Sequence, residues 1–267
     1  MDLMFAISLF CALIIGVTLG LIGGGGSILT VPVFVYLVGI DPHIATSYSL
    51  FVVGISSLAA SVQNARKKLI SYRTGLVFAF PAFLVVFMIR KYLLPAIPEE
   101  IFRVGDFVLM KSVALMLFFA LVMLIASISM IRGRREMHEE MPDSYNYPVI
   151  FLQGTVVGFI TGMVGAGGGF LIIPALVFLA KLPIKRAVAT SLLVISINSL
   201  CGFFGDVQNL KIDWNFLLPF TCMAIVGVFI GTFFNSRIDN VKLKKIFGWF
   251  VLVMGILIIL KEILSNQ

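Results

Sequence analysis

The chain has 267 residues, of which 60% are hydrophobic and 12% charged, against roughly 45–50% and 25% in a soluble domain. That balance excludes a soluble globular protein and predicts a polytopic membrane protein. The formal charge of +7 would suggest nucleic acid in a soluble chain, but here the basic residues flank hydrophobic runs, so membrane topology explains them and no nucleic-acid partner is expected.

Taken in order, apolar segments of spanning or near-spanning length fall at 3–22, 27–39, 44–62, 74–90, 107–131, 148–164, 170–180, 187–205, 215–235 and 246–264. A helix needs about 20 apolar residues to cross the hydrocarbon core, so nearly the whole chain is assigned to the bilayer. The first segment opens Met-Asp-Leu, with no positive region and no small-residue cleavage site, and reads as a retained helix rather than a signal peptide. Cys11, Cys201 and Cys222 lie within apolar segments without metal-ligand spacing, so no metal or other cofactor is expected.

Between the first two segments lies Gly23-Gly24-Gly25-Gly26, followed by Ser27 and, five residues on, Pro32. A near copy, Gly165-Ala166-Gly167-Gly168-Gly169 with Pro174 beyond it, aligns at an offset of 142 residues without a gap. Each glycine costs a helix about 1 kcal/mol relative to alanine, so both runs should open a helix and free backbone N–H and C=O groups. In lipid such openings are tolerated only inside protein or beside a cavity. The stretch 3–39 as one straight helix would be about 55 Å long against a core of about 30 Å, so the chain must fold back at the break. A helix restarting just after Gly26 or Gly169 points free N–H groups and a positive dipole end forward, which suits an anion. The alternative is that these glycines merely allow tight helix packing.

Basic residues test the reversal. If each break turns the chain, 14 of the 20 lysines and arginines fall on one side, in loops holding Arg66 to Arg73, Arg132 to Arg135, Lys181 to Arg186 and Arg237 to Lys245; Arg90, Lys91, Arg103, Lys111, Lys211 and Lys261 fall on the other. Without reversal the count is 9 against 11. Only the reversing chain obeys the positive-inside rule, and it puts both termini outside. Each half then holds five helical segments, an odd number, so the second half enters from the opposite side. The expected fold is therefore an all-α polytopic membrane protein of two inverted repeats, 1–131 and 148–267, each with a glycine-broken helical hairpin, joined by a cytoplasmic linker at 132–147. That is the pattern of a secondary transporter with substrate near the midplane.

A second duplicated feature follows each hairpin: Ala45-Thr46-Ser47 and Ala189-Thr190-Ser191, at the start of the next long helix. Their hydroxyls either cap that helix or bind an anion beside its first N–H groups. At the far ends sit Gln63-Asn64 and Gln208-Asn209, read as interfacial caps or a gate. Ser56, Ser57, Ser196, Asn198 and Ser199 are polar at membrane depth, and Asn198 is the strongest pathway candidate because an amide costs more than a hydroxyl to bury unpaired. Thr232 and Asn235 are weaker candidates. No acidic residue falls well inside a segment, Asp206 included, which disfavours a cation relay. Basic residues are also absent from segment centres, so an anion is expected to be held by backbone N–H groups, helix ends and hydroxyls. His43 and His138 sit in loops, leaving no serine or cysteine with a base at membrane depth, and no enzyme is expected.

Gly20 to Ser27 with Pro32 and Ala45-Thr46-Ser47, and the second copy through Ala189-Thr190-Ser191 to Gln208-Asn209, resemble the TauE/SafE sulfite exporter family over nearly the whole chain. The resemblance implies movement of small sulfur-containing anions, such as sulfite or organosulfonates, across a bacterial cytoplasmic membrane. Carried onto this sequence, the motif positions are Gly23, Gly24, Gly25, Gly26, Ser27, Thr46 and Ser47, with Gly165, Gly167, Gly168, Gly169, Thr190 and Ser191. Together with Asn198 they form the expected substrate-binding set. Ala166 stands opposite Gly24 and Gly169 opposite Ser27, so the two half-sites are not chemically equal. The expected partners are a small anion and the lipid bilayer; oligomeric state is open.

Overall fold

A computed structural model describes residues 3–24, 27–104, 107–132, 147–165, 168–178, 180, 182–207, 210–234 and 240–265. Among them are ten principal helices: α1 Leu3–Ile22, α2 Ser27–Val38, α3 Pro42–Arg66, α4 Tyr72–Ala96, α5 Lys111–Ile131, α6 Tyr147–Val164, α7 Gly169–Phe178, α8 Ile184–Asp206, α9 Trp214–Phe234 and α10 Asn240–Ser265. Seven stretches among the described residues are long and apolar enough to cross a membrane, while α2 is a shorter apolar helix. The expected all-α polytopic membrane protein is thus present, with one departure. Residues 107–110 are not the start of a helix; they pair as a strand, Phe107–Met110, with Glu100–Val104 in an antiparallel hairpin. Helix α5 begins only at Lys111. The linker at 132–147 lies almost wholly outside the described residues.

Each glycine break opens the same way. Gly23 donates its N–H to the Leu19 carbonyl at 2.8 Å and Gly165 donates to Thr161 at 2.8 Å, closing the last turns of α1 and α6. Both then turn into the left-handed region, at φ 84° and 72°, where an L side chain is strained. The helices that follow are short, as expected: α2 is apolar and mostly buried, and α7 is ten residues long.

Packing partners repeat between the halves. α1 packs on α9 and α4 on α6; α3 packs on α8 and α5 on α10; α8 also meets α4, and α3 meets α9. Exchanging each helix for the one five places on leaves that set of pairs unchanged. The α1–α9 seam is made by Gly16, Gly20, Gly227 and Gly231, where backbone lies on backbone, and the α4–α6 seam by Gly154 and Gly158 against Phe78 and Ala82. In both seams the helices run parallel. α3 and α8 run antiparallel: Asp206, the last residue of α8, bonds Ser47 near the start of α3. Thr190, near the start of α8, bonds Ser71 just beyond the end of α3.

Two apolar clusters fill the interior. One surrounds α2, where fully buried Phe34 meets Tyr48, Phe216 and Phe220. The other surrounds α7 through Ile172, Ala175 and Leu176. The outer faces carry large apolar side chains such as Phe10, Leu121, Leu152 and Phe233, suited to lipid.

Candidate substrate site

The two breaks meet. A methyl group added at Gly24 would collide with the backbone of Gly169, and one at Gly169 would collide with Gly24. Each break also reaches across to the long helix of the other half. Gly23 lies against Val188 of α8, whose side chain would stand 2.8 Å from an added Cβ, and Gly165 lies against Thr46 of α3. Gly168 sits on the Thr161 hydroxyl. Of the expected binding set, Gly25, Gly26 and Gly167 lie outside the described residues.

The hydroxyls divide by function. Ser27 donates to the Gly24 carbonyl at 2.7 Å, closing the break locally. Capping does not explain Thr46 and Ser47, because the α3 N-cap is Asp41, whose carboxylate accepts from the His43 N–H at 2.8 Å. Thr46 instead donates to the His43 carbonyl at 2.8 Å and accepts from Arg90 Nη1 at 3.0 Å. Ser47 donates to Asp206. Thr190 accepts the Ser71 backbone N–H at 3.0 Å and so ties the α3–α4 turn to α8. Ser191 donates to the Val188 carbonyl at 2.8 Å. The two Ala-Thr-Ser copies therefore differ in their surroundings: among the described residues the first belongs to a charged cluster and the second to helix and turn contacts.

That cluster encloses two charged side chains that the sequence places at segment ends. Arg90 is fully buried and pairs with Asp206 at 3.0 Å, itself 2% exposed. The sequence sets Arg90 at the end of its segment, beside Lys91. In fact α4 continues to Ala96, because Tyr92 to Ala96 extends the apolar run. Asp206 is indeed terminal in α8, but Gly205 lets α4 approach so closely that the carboxylate is enclosed; a Cβ at Gly205 would lie 3.1 Å from Arg90 Cβ. Around Arg90 the helix winds as a π-helix, Ile89–Leu93, a rare geometry that recurs at functional sites. His43, half-buried at the start of α3, feels the charges of Asp206, Arg90, Lys111 and Asp41.

Beyond the cluster runs a polar seam. Ser56 and Ser57 on α3, and Asn198 and Ser199 on α8, are buried with side-chain polar atoms that lack a partner, and Thr30, Ser49 and Thr161 share that state. Asn198 has neither its amide nitrogen nor its oxygen engaged. It lies seven residues from Ser191, two turns along the same face. Other candidates are accounted for within their own helices: Ser196 donates to Leu193, Thr232 to Val228, and Asn64 to Ala60 at 3.0 Å, the C-cap of α3 being Lys67. Gln208, Asn209 and Asn235 lie outside the described residues. Among the described residues no group of acidic, histidine or cysteine side chains could hold a metal ion.

A bundle of apolar helices enclosing two broken hairpins and buried, unpartnered polar groups is a polytopic membrane protein. The family model described as Sulfite exporter TauE/SafE matches residues 8–258, and the chain belongs to that family. It is 31% identical over 256 residues to a probable membrane transporter protein of Xylella fastidiosa strain 9a5c, covering 92% of this chain and 91% of the relative. It is 29% identical to the probable membrane transporter protein YunE of Bacillus subtilis strain 168, covering 98% and 99%, and 27% identical to YjnA of the same strain, covering 92% and 96%. No solved structure gives a significant match.

Proposed function

We propose that this protein carries small sulfur-containing anions, sulfite or an organosulfonate, across the bacterial cytoplasmic membrane by alternating access, in the export direction. The observation that carries the reading is the meeting of the Gly24 and Gly169 breaks beside Thr46 in a chain of the sulfite exporter family. The repeats are inverted, with 132–147 as the cytoplasmic linker and both termini outside. The antiparallel run of α3 and α8 supports this, since a chain that did not reverse at its breaks would carry those two helices in the same direction. The unchanged packing pairs under exchange of halves support it too.

The seat is formed by backbone at Gly23, Gly24, Gly165, Gly168 and Gly169, with Thr46, Ser47 and Ser191 beside it. Asn198, Ser56 and Ser57 line the way through, where unpartnered polar groups can solvate a moving ion. Rocking of one half against the other then exposes the seat to each side. Counterflow in proteoliposomes tests the reading. Vesicles preloaded with unlabelled sulfite should transiently accumulate labelled sulfite, and organosulfonates should block it. Sulfite currents without counterflow would make the protein a channel instead, and absence of sulfite flux from folded protein would withdraw the substrate.

A further inference from the structure

Among the described residues the Arg90 guanidinium is engaged on one nitrogen only. Nη1 donates to Thr46 at 3.0 Å and to Asp206 at 3.0 Å, while Nε and Nη2 have no hydrogen-bond partner, although the side chain is fully buried. Nε and Nη2 form the edge of the guanidinium whose two parallel N–H bonds match a pair of oxygens on one centre. Nη2 lies against the broken hairpin: a Cβ on Gly165 would collide with Nη2 and with Thr46. Glycine at this point therefore lets the backbone of the break come directly up to the guanidinium. Two charged donors buried and unmatched are costly to the fold, whereas Asp206, fixed by Ser47, already balances the charge from the opposite side.

We propose that the Nε–Nη2 edge of Arg90 is the charged receptor for the transported anion, making a two-oxygen contact with the sulfite or sulfonate headgroup, and that Asp206 and Ser47 are positioning residues that aim it. The inference rests on the anion-transport reading above and adds to it a selectivity rule. An oxyanion presents two oxygens to the fork; chloride presents one centre and gains less from it. Arg90 supplies the discrimination, and the glycine break brings the backbone of the seat up to it.

The test compares wild type with Arg90→Lys and with the double variant Arg90→Met/Asp206→Leu, which removes both buried charges together and so leaves none unpaired. Sulfite counterflow and competition by methanesulfonate and chloride are measured on protein that elutes as a single folded species. Lysine keeps the charge but loses the fork, so Arg90→Lys should raise the sulfite KM by roughly tenfold to a hundredfold and narrow the preference for methanesulfonate over chloride as competitor. The double variant should lose saturable sulfite uptake. A purely structural Arg90 would change the amount of folded protein or the maximal rate and leave KM and anion preference where they were. If either variant transports sulfite with the wild-type KM and preference, the receptor assignment is overturned while the transport reading survives. If the wild type itself shows no sulfite flux, it is the transport reading that falls.

Discussion

Thr46 and Thr190 occupy the same place in two copies of Ala-Thr-Ser, yet they hold different things. Thr46 takes a charge-assisted hydrogen bond from Arg90, which is worth about 1.5–3 kcal/mol. Thr46→Val should therefore cut sulfite transport at subsaturating substrate, and Thr46→Ser should restore it, as read in proteoliposome uptake. Thr190 takes a backbone N–H from Ser71, and removing that acceptor leaves a part-buried donor unsatisfied at a cost of about 1–3 kcal/mol. Thr190→Val should lower the thermal unfolding midpoint in detergent while the sulfite KM stays put; a KM rise matching that of Thr46→Val would put Thr190 in the seat beside Thr46. The ion pair beneath them gives a second test. Asp206→Ala strands a fully buried arginine and should destabilise the protein by about 3–5 kcal/mol, whereas Arg90→Met/Asp206→Leu should recover most of that loss in the same melt. The sequence showed Arg90 and Asp206 only as segment ends, because periodicity and hydropathy locate a residue along a helix and say nothing of what packs over it. The signal that could have found them is the apolar run resuming after Arg90-Lys91, which carries the helix on, together with Gly205 beside Asp206, which marks a close approach.

At the scale of the helix pair, the glycines outside the two runs set the distances. Gly16 and Gly227 face each other's helix so closely that an added methyl would strike backbone atoms, of Ala224 and Leu13 respectively. Backbone cannot rotate away as a side chain can, so Gly16→Ala or Gly227→Ala should cost at least the 1–3 kcal/mol typical of overpacking. Gly39 is the control. It also has a left-handed φ, 78°, but nothing lies within 4 Å of its added Cβ, so Gly39→Asn should cost only a few tenths of a kcal/mol, asparagine tolerating that conformation. Fluorescence-detected melting of the three variants would rank them, and equal stability of Gly16→Ala and Gly39→Asn would show that the α1–α9 seam is not rigid. The existence of the long helices was legible, because predominantly apolar segments of spanning length such as 148–164 permit little else in a membrane. The strand Phe107–Met110 was not, since its four residues continue without a break into the apolar run of α5 and only pairing with Glu100–Val104 distinguishes them. The seams were equally hidden: Gly16, Gly20, Gly227 and Gly231 share a four-residue spacing, but a spacing names a face and not its partner.

At the scale of the whole molecule, direction is what turns a duplicated sequence into a transporter. Lys67 and Lys211 follow the ends of α3 and α8, the two helices that share the central contact, and both residues are exposed. In a parallel repeat they would lie on one side of the membrane. In the inverted arrangement we propose they lie on opposite sides, Lys67 in the cytoplasm and Lys211 outside, a consequence of α3 and α8 running antiparallel through the Asp206–Ser47 and Ser71–Thr190 bonds. The basic residues agree, since Lys67 belongs to a dense group with Arg66, Lys68 and Arg73 whereas Lys211 stands apart. Lys67→Cys and Lys211→Cys, each introduced after replacing Cys11, Cys201 and Cys222, should therefore react with a membrane-impermeant maleimide from opposite faces: Lys211→Cys in intact cells, Lys67→Cys only in inside-out vesicles. Labelling of both from the same face would mean that the chain does not reverse at its glycine breaks, and the alternating-access mechanism built on two opposed hairpins would have no geometry to stand on.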